Sequence, residues 1–284
     1  MKIAIAGTKG LVGSALSRFF AEDHEVIPLT RAELDITSQL HVREVISRLR
    51  PTLLLNCTAV GVDLCETNPT LARSVNVDGP SFLAAAAADA GAEFVHFSTN
   101  YVFDGSLEPP RSYTTEDEAL PINVYGQTKL DGERAVVRAH PGSFIVRTSW
   151  VFGAGKENFF SSLSQRLRDG IETQVVRDMW ASTTYVDDLA PALSAILEHG
   201  EKGTYHLVNH GVCSYEMFAR EVARRLELRD EQTDRLLNFV TQADLKRAAP
   251  RPRYSPMSCL LSSRLGLTPM RGWQEALHSF MEAS

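Results

Sequence analysis

Tyr125 and Lys129 stand four residues apart in "YGQTK", a spacing that puts both side chains on one face of a helix. A tyrosine hydroxyl, with a pKa near 10 in water, is a poor proton donor and acceptor at neutral pH unless its surroundings stabilise the phenolate. A nearby ammonium, or a cationic ring, supplies such stabilisation. Upstream, "EFVHFSTNYVFDG" closes an apolar run with Ser98, Thr99, Asn100 and Tyr101. Side chains alternate along a strand, so Ser98 and Thr99 point to opposite sides and at most one of them reaches the atom that Tyr125 serves. By itself the Tyr-x-x-x-Lys spacing arises often by chance, as on an exposed helix with a surface tyrosine. Its company in the chain decides what it means.

That company begins at the N-terminus. Gly7, Gly10 and Gly13 in "AGTKGLVG" follow an apolar run and open an amphipathic one. Glycines at this spacing permit a tight turn and a close approach of backbone N–H groups to a diphosphate, which then sits at the positive end of a helix. In this position they point to a bound dinucleotide. The next apolar run, "HEVIPL", ends in Thr30 and Arg31 where a carboxylate would otherwise bind the ribose 2′-hydroxyl. Arg31 suits a 2′-phosphate, which favours NADPH with NADH as the alternative. It could equally be a solvated loop residue, since Glu33 and Asp35 follow closely. Asp35 either reaches the adenine or caps the helix after it.

The elements that must hold these groups are legible in the alternation of apolar runs ("KIAIA", "HEVIPL", "TLLLN", "EFVHF", "SFIVR") with helical patterns. This is the rhythm of repeated βαβ units. The expected fold is α/β, a Rossmann-type doubly wound parallel sheet with a smaller C-terminal substrate-binding lobe. Residues 1–155 form the expected dinucleotide-binding domain and 156–284 the lobe, with part of about 174–200 returning to the sheet. A helix is expected near 158–170 and a strand near 174–177, and "RPRYSP" reads as a stiff basic loop.

Composition closes off other classes. With 44% hydrophobic and 23% charged residues in 284, the chain is an ordinary globular one and lacks the roughly 20-residue apolar run of a membrane helix. No signal peptide precedes the first strand pattern, so a cytoplasmic location is expected. Cys57, Cys65, Cys213 and Cys259 form neither a C-x-x-C pair nor a zinc-ligand spacing, and free thiols are expected. The formal charge of -6 argues against a nucleic-acid surface while leaving room for a local phosphate pocket.

With these residues in order, the chain resembles an extended short-chain dehydrogenase/reductase, and within that group the dTDP-4-dehydrorhamnose reductase family, almost end to end. The stretches that carry the resemblance are "GTKGLVG", "LDIT", "SVNVDGP", "FSTNYVFDG", "YGQTKLDGE", "IVRTSWVFG", "NFF", "TTYVDDLA", "GTYHLVN" and "RPRYS". The resemblance implies reduction of the 4-keto group of a dTDP-bound 6-deoxyhexose by a nicotinamide cofactor. It assigns Tyr125 to protonate the forming alkoxide, Lys129 to lower the tyrosine's pKa and hold the nicotinamide ribose, and Thr99 to hydrogen-bond the keto oxygen. Around the cofactor it places Gly7, Thr8, Lys9, Gly10, Leu11 and Val12 at the turn, then Arg31, Asp35, Ile36, Cys57, Thr58, Ala59 and Asn76. On the substrate side it places Asn100, Tyr101 and Trp150 by the sugar, with Trp150 otherwise a core or lobe-interface residue. Asn158 and Arg251 are expected at the diphosphate, or else as a helix cap and a loop residue. The family also admits a homodimer.

Departures from the family pattern fall near the sugar. Asn100 replaces the usual aspartate, "NCTAVGVDLCE" is about one residue short and lacks a tyrosine, and "DMWASTTYVDD" replaces a Gly-x-Pro-Thr run with a bulkier one. Ala15 stands where some members carry a metal-binding carboxylate, so no metal is expected. A nucleotide-sugar 4,6-dehydratase needs an acid–base carboxylate pair after the threonine, and this chain has Asn100 and Tyr101 there. A 4-epimerase with retained NAD, and a noncatalytic dinucleotide-binding subunit like that of methionine adenosyltransferase, are the alternative functions. An intact Thr99, Tyr125 and Lys129 set favours an enzyme.

Overall fold

The computed structural model of the chain describes residues 1–199 and 201–283. At its centre lies a six-stranded parallel sheet. Its strands are β1 (Lys2–Ala6), β2 (Glu25–Leu29), β3 (Leu53–Asn56), β4 (Glu93–Thr99), β5 (Phe144–Thr148) and, after four short strands described below, β10 (Gly203–His206). Across the sheet the order is β2-β1-β3-β4-β5-β10. The winding therefore reverses at β1, and the carboxyl ends of β1 and β3 frame the crevice where open α/β sheets bind ligands.

The helices of the first half are α1 (Leu11–Phe20), α2 (Gln39–Leu49), α3 (Val62–Thr67), α4 (Pro69–Arg73), α5 (Gly79–Asp89) and α6 (Val124–Ala139). The second half adds α7 (Phe159–Arg168), α8 (Val186–His199), α9 (Tyr215–Arg225), α10 (Asp230–Leu236), α11 (Leu260–Arg264) and α12 (Trp273–Glu282). Alternation along β1 decides which helices each residue meets. Ile3 and Ile5 pack with Leu16 and Phe20 of α1 and with Leu189, Leu193 and Ile196 of α8. Ala4 and Ala6 face the other way, toward Val45 and Ile46 of α2 and Leu83, Ala84 and Ala87 of α5. Helices thus cover both faces, which is why the strand sequences are continuously apolar.

The remaining strands, β6 (Val151–Phe152), β7 (Thr173–Val176), β8 (Trp180–Ala181), β9 (Thr184–Tyr185), β11 (Cys213–Ser214), β12 (Leu237–Val240) and β13 (Tyr254–Ser255), pair in three small sheets. Around them an aromatic core that includes Phe152, Phe160, Phe218, Trp273 and Phe280 holds the smaller lobe together. Between its strands the chain returns to the main sheet, where α8 packs with α1 and β10 pairs with β5. No helix among the described residues is long and apolar enough to cross a membrane.

Candidate active site

The turn after β1 is built for a close approach. Gly7 has φ +89°, and a Cβ there would lie 2.9 Å from the Cys57 carbonyl carbon. At Gly13 a Cβ would fall 2.4 Å from the Gly7 oxygen, so no larger residue fits between turn and helix. Gly10 caps α1 without a side chain, which leaves the first N–H groups of the helix free for an anion. Over this turn opens a cavity of about 470 Å³. Gly7, Lys9, Gly10, Arg31, Asp35 and Ile36 line it, with Cys57, Thr58 and Ala59 from the end of β3. These residues fit the diphosphate and adenosine half of a nicotinamide dinucleotide.

Thr8, Leu11 and Val12 belong to the same turn and the start of α1 but are outside that lining. Asn76 is fully buried behind the wall, its Oδ1 accepting from the Val60 N–H at 3.0 Å and its Nδ2 donating to Thr128 Oγ1 at 3.1 Å. The carboxylate of Glu33 accepts from the Thr30 N–H at 2.8 Å, and that of Asp35 from the Thr37 N–H at 3.0 Å. Both acidic neighbours are thereby engaged, and among the described residues no carboxylate pairs with Arg31. The cap of α2 is Ser38, not Asp35.

Thr99 and Tyr125 meet at the carboxyl end of β4, with Lys129 one helical turn further along α6. Asn123 caps α6 by accepting from the Gly126 N–H at 2.7 Å, so the helix begins just before Tyr125. Two glycines let it lie flush: a Cβ on Gly126 would sit 2.0 Å from the Tyr101 oxygen, and one on Gly132 2.1 Å from the Asn76 oxygen. Ser98 and Thr99 do diverge, with Ser98 donating to Glu133 on α6 at 2.5 Å and Thr99 beside the Tyr125 hydroxyl. Burial pushes Tyr125 up to about 12, and the Thr99 hydroxyl draws it back in part. In the cofactor-free structure the groups that move Tyr125 are its burial, Thr99, Tyr101 and Cys65. The Nζ of Lys129 donates to the Phe97 carbonyl at 2.6 Å and lies 3.3 Å from His96 Nε2. Lys129 is itself lowered to about 8 by its burial, against a raising influence from Glu133.

On the substrate side the structure separates the expected residues. Tyr101 borders the site, its ring edge-on to Tyr125 at 5.5 Å. Burial raises its pKa, with Arg251 and Arg247 pulling the other way. Asn100 is turned inward and 2% exposed; its Nδ2 donates to Ser255 Oγ on β13 at 2.8 Å. Trp150, at φ 39°, is wedged into the lobe's aromatic cluster, 5.2 Å from Phe160 and 4.3 Å from Tyr215 between ring centroids. Asn158 caps α7, accepting from the Ser161 N–H at 3.0 Å and donating to the Val151 carbonyl at 2.8 Å. Arg251 forms a two-pronged pair with Asp63 of α3 at 2.7 and 2.6 Å, which holds the Asp63 carboxyl at about 2.

Other residues enter from places the motifs do not reach. Lys156, in the loop that leads into the lobe, lines the dinucleotide cavity. A second cavity of about 390 Å³ lies between Phe159, Tyr215, Lys246 and Arg247, an aromatic and cationic lining suited to a nucleotide. His96 interrupts the apolar run of β4 with a polar ring, which was its only signal. A larger cavity, about 560 Å³, runs along α8 and the 257–270 segment and includes none of Thr99, Tyr125 and Lys129.

A switch-point cleft over a glycine turn, with tyrosine and threonine hydroxyls meeting beside it and a lysine one helical turn on, defines an NAD(P)-dependent oxidoreductase of the extended short-chain type. The chain belongs to the RmlD substrate binding domain family, which matches residues 1–284. It is 38% identical over 286 residues to a dTDP-4-dehydrorhamnose reductase of Mycolicibacterium smegmatis, covering 99% of this chain and 85% of that protein. A dTDP-4-keto-6-deoxy-D-glucose reductase of Streptomyces niveus is 35% identical, covering 96% and 94%. Among solved structures, the dTDP-4-dehydrorhamnose reductase of Bacillus anthracis in complex with NADP superposes with a TM-score of 0.93 at 32% identity over 100% of both chains. The activity class is thus that of the dTDP-4-keto-6-deoxysugar reductases.

Proposed function

We propose that the chain uses NADPH to reduce the 4-keto group of a dTDP-linked 6-deoxyhexose, with dTDP-4-dehydro-L-rhamnose as the first candidate. The observation that carries this is the meeting of the Thr99 and Tyr125 hydroxyls, one helical turn from Lys129 and close to the glycine-turn cleft. When bound, the nicotinamide supplies the hydride to the carbonyl carbon. Tyr125, held protonated by burial, gives its proton to the carbonyl oxygen as negative charge develops there. Thr99 donates a hydrogen bond to the same oxygen. Hydride on carbon and proton on oxygen convert the ketone to a secondary alcohol. Donors fixed where charge appears in the transition state accelerate that step more than they tighten substrate binding.

Lys129 holds the nicotinamide ribose and Arg31 the 2′-phosphate. On the other side, Tyr101 is assigned to the sugar, and Arg251 and Arg247 to the diphosphate. The test is NADPH oxidation in the presence of dTDP-4-keto-6-deoxyhexoses, with and without a 3,5-epimerase to supply the L-configured ketone. Oxidation that requires the epimerase selects dTDP-4-dehydro-L-rhamnose. Oxidation without it selects a D-configured deoxysugar, and none with either refutes the reductase assignment.

A further inference from the structure

Behind the lysine lies a chain of hydrogen bonds whose directions are fixed one after another. The Thr58 backbone N–H, which can only donate, points at Asn56 Oδ1 at 3.1 Å. That sets the amide, because the flipped arrangement would oppose two donors. Asn56 Nδ2 therefore donates to His96 Nδ1, 3.0 Å away. An imidazole that accepts at Nδ1 and is neutral carries its hydrogen on Nε2. Burial keeps His96 neutral, well below its ordinary pKa. The Nε2–H then faces Lys129 Nζ at 3.3 Å. An ammonium has no lone pair to receive it, but a free amine has one, and it can still donate to the Phe97 carbonyl at 2.6 Å.

We propose that His96 is a positioning residue that favours the free amine of Lys129 in the cofactor-free protein at mildly alkaline pH, so that binding NADPH there draws a proton onto Lys129. The step is –NH₂ plus a solvent proton giving –NH₃⁺, completed as Nζ turns from His96 to the ribose hydroxyls. It rests on the cofactor assignment proposed above. Of the groups around Lys129, Glu133, Cys57 and Cys65 favour the ammonium, but burial, which favours the amine, outweighs them. On α6, Glu133 still exerts that pull, but it is shared with Arg147 of β5 at 2.7 and 2.9 Å and with Ser98. Tyr125, a turn earlier, keeps its proton. Cys57 at the end of β3 and Cys65 on α3 are raised by burial and stay thiols. Lys129 is 1% exposed, so water offers the ammonium little compensation.

Two measurements on the cofactor-free and titrated protein decide the matter. Nitrogen-15 NMR of His96 is expected to show a protonated Nε2 and a bare Nδ1; the opposite tautomer overturns the proposal. Calorimetry of NADPH binding in buffers of different ionisation enthalpy, at about pH 8.5, where the 2′-phosphate is fully ionised, is expected to show uptake of roughly half a proton or more. Binding without proton uptake overturns it. Failure of NADPH to bind at all would instead refute the cofactor assignment, with the tautomer still deciding the state of the lysine. Asn56→Asp replaces the donor with an acceptor, and is expected to move the histidine hydrogen to Nδ1 and abolish the proton uptake. Uptake unchanged in a folded Asn56→Asp protein counts against the relay; if that variant does not fold, the two wild-type measurements stand alone.

Discussion

A phenol that burial holds near 12 keeps its proton throughout the neutral range, so in the proposed reduction Tyr125 starts out carrying the proton assigned to it. Thr99 tempers that rise without reversing it, and in the cofactor-free protein Lys129 looks elsewhere. Removing the hydroxyl alone should therefore abolish the acid and leave the cleft intact. Tyr125→Phe is expected to lower kcat at least roughly a hundredfold, the usual scale for a positioned acid, with NADPH affinity nearly unchanged by fluorescence titration. Turnover close to that of the wild type would contradict the assignment. Arg31 is argued at the same scale. Asp35 lies near enough to feel its charge, but no carboxylate among the described residues forms an ion pair with it, so the guanidinium is open to a phosphate. A charge-assisted hydrogen bond contributes about 1.5–3 kcal/mol. Arg31→Ala should thus weaken NADPH about tenfold or more while leaving NADH binding as it was; equal loss for both cofactors would place Arg31 away from the 2′-phosphate.

Helix α6 positions the acid, and its seating depends on what its glycines do not have. Gly126 rides against the Tyr101 carbonyl, where an added Cβ would come within 2.0 Å of backbone. The Gly126→Ala helix must lift away from the 100–102 turn, taking Tyr125 from Thr99. A stability loss of about 1–3 kcal/mol from overpacking is expected, with kcat falling more than the thermal midpoint alone explains. An unchanged kcat would show that α6 has slack at this point. The same helix marks the limit of what the sequence reveals. Continuous apolar strands and a glycine turn are local signals, and they sufficed for the sheet, its covering helices and the dinucleotide cleft. Strand alternation said that only one of Ser98 and Thr99 could reach Tyr125, and the family resemblance chose Thr99. Gly126 and Gly132, by contrast, owe their necessity to Tyr101 and Asn76, far off in the chain. Likewise Arg251 finds Asp63, and Asn100 finds Ser255, only once the lobe folds back. Asn158 was ambiguous between ligand and cap because an asparagine before a helix looks the same in either role.

At the scale of the whole molecule, a buried polar chain joins the sheet edge to helix α6. His206, at the end of β10, donates from Nδ1 to the Ser258 carbonyl at 2.8 Å. Its Nε2 is left to accept from Arg147, 3.5 Å away, and Arg147 grips Glu133 of α6 at 2.7 Å. A proton on Nε2 would set a second donor and a positive charge against the guanidinium. Burial first, and Arg147 second, hold His206 down at about 3 from an ordinary 6.5. The unfolded chain takes up that proton near 6.5 and the folded chain only near 3. Between those values the unfolded state binds more protons, and stability falls as the pH is lowered. Below about 3 this contribution is fully lost. Asp63, held at about 2 against an ordinary 3.8, adds a further loss in its own lower window, and His96 acts in the same direction as His206. The thermal midpoint should consequently decline as pH drops from 6.5 toward 3. His206→Gln, which cannot take a proton there, should show a shallower decline than the wild type even if its midpoint at neutral pH is lower. Parallel declines in the two proteins would mean that this histidine does not couple acid to the loss of the fold.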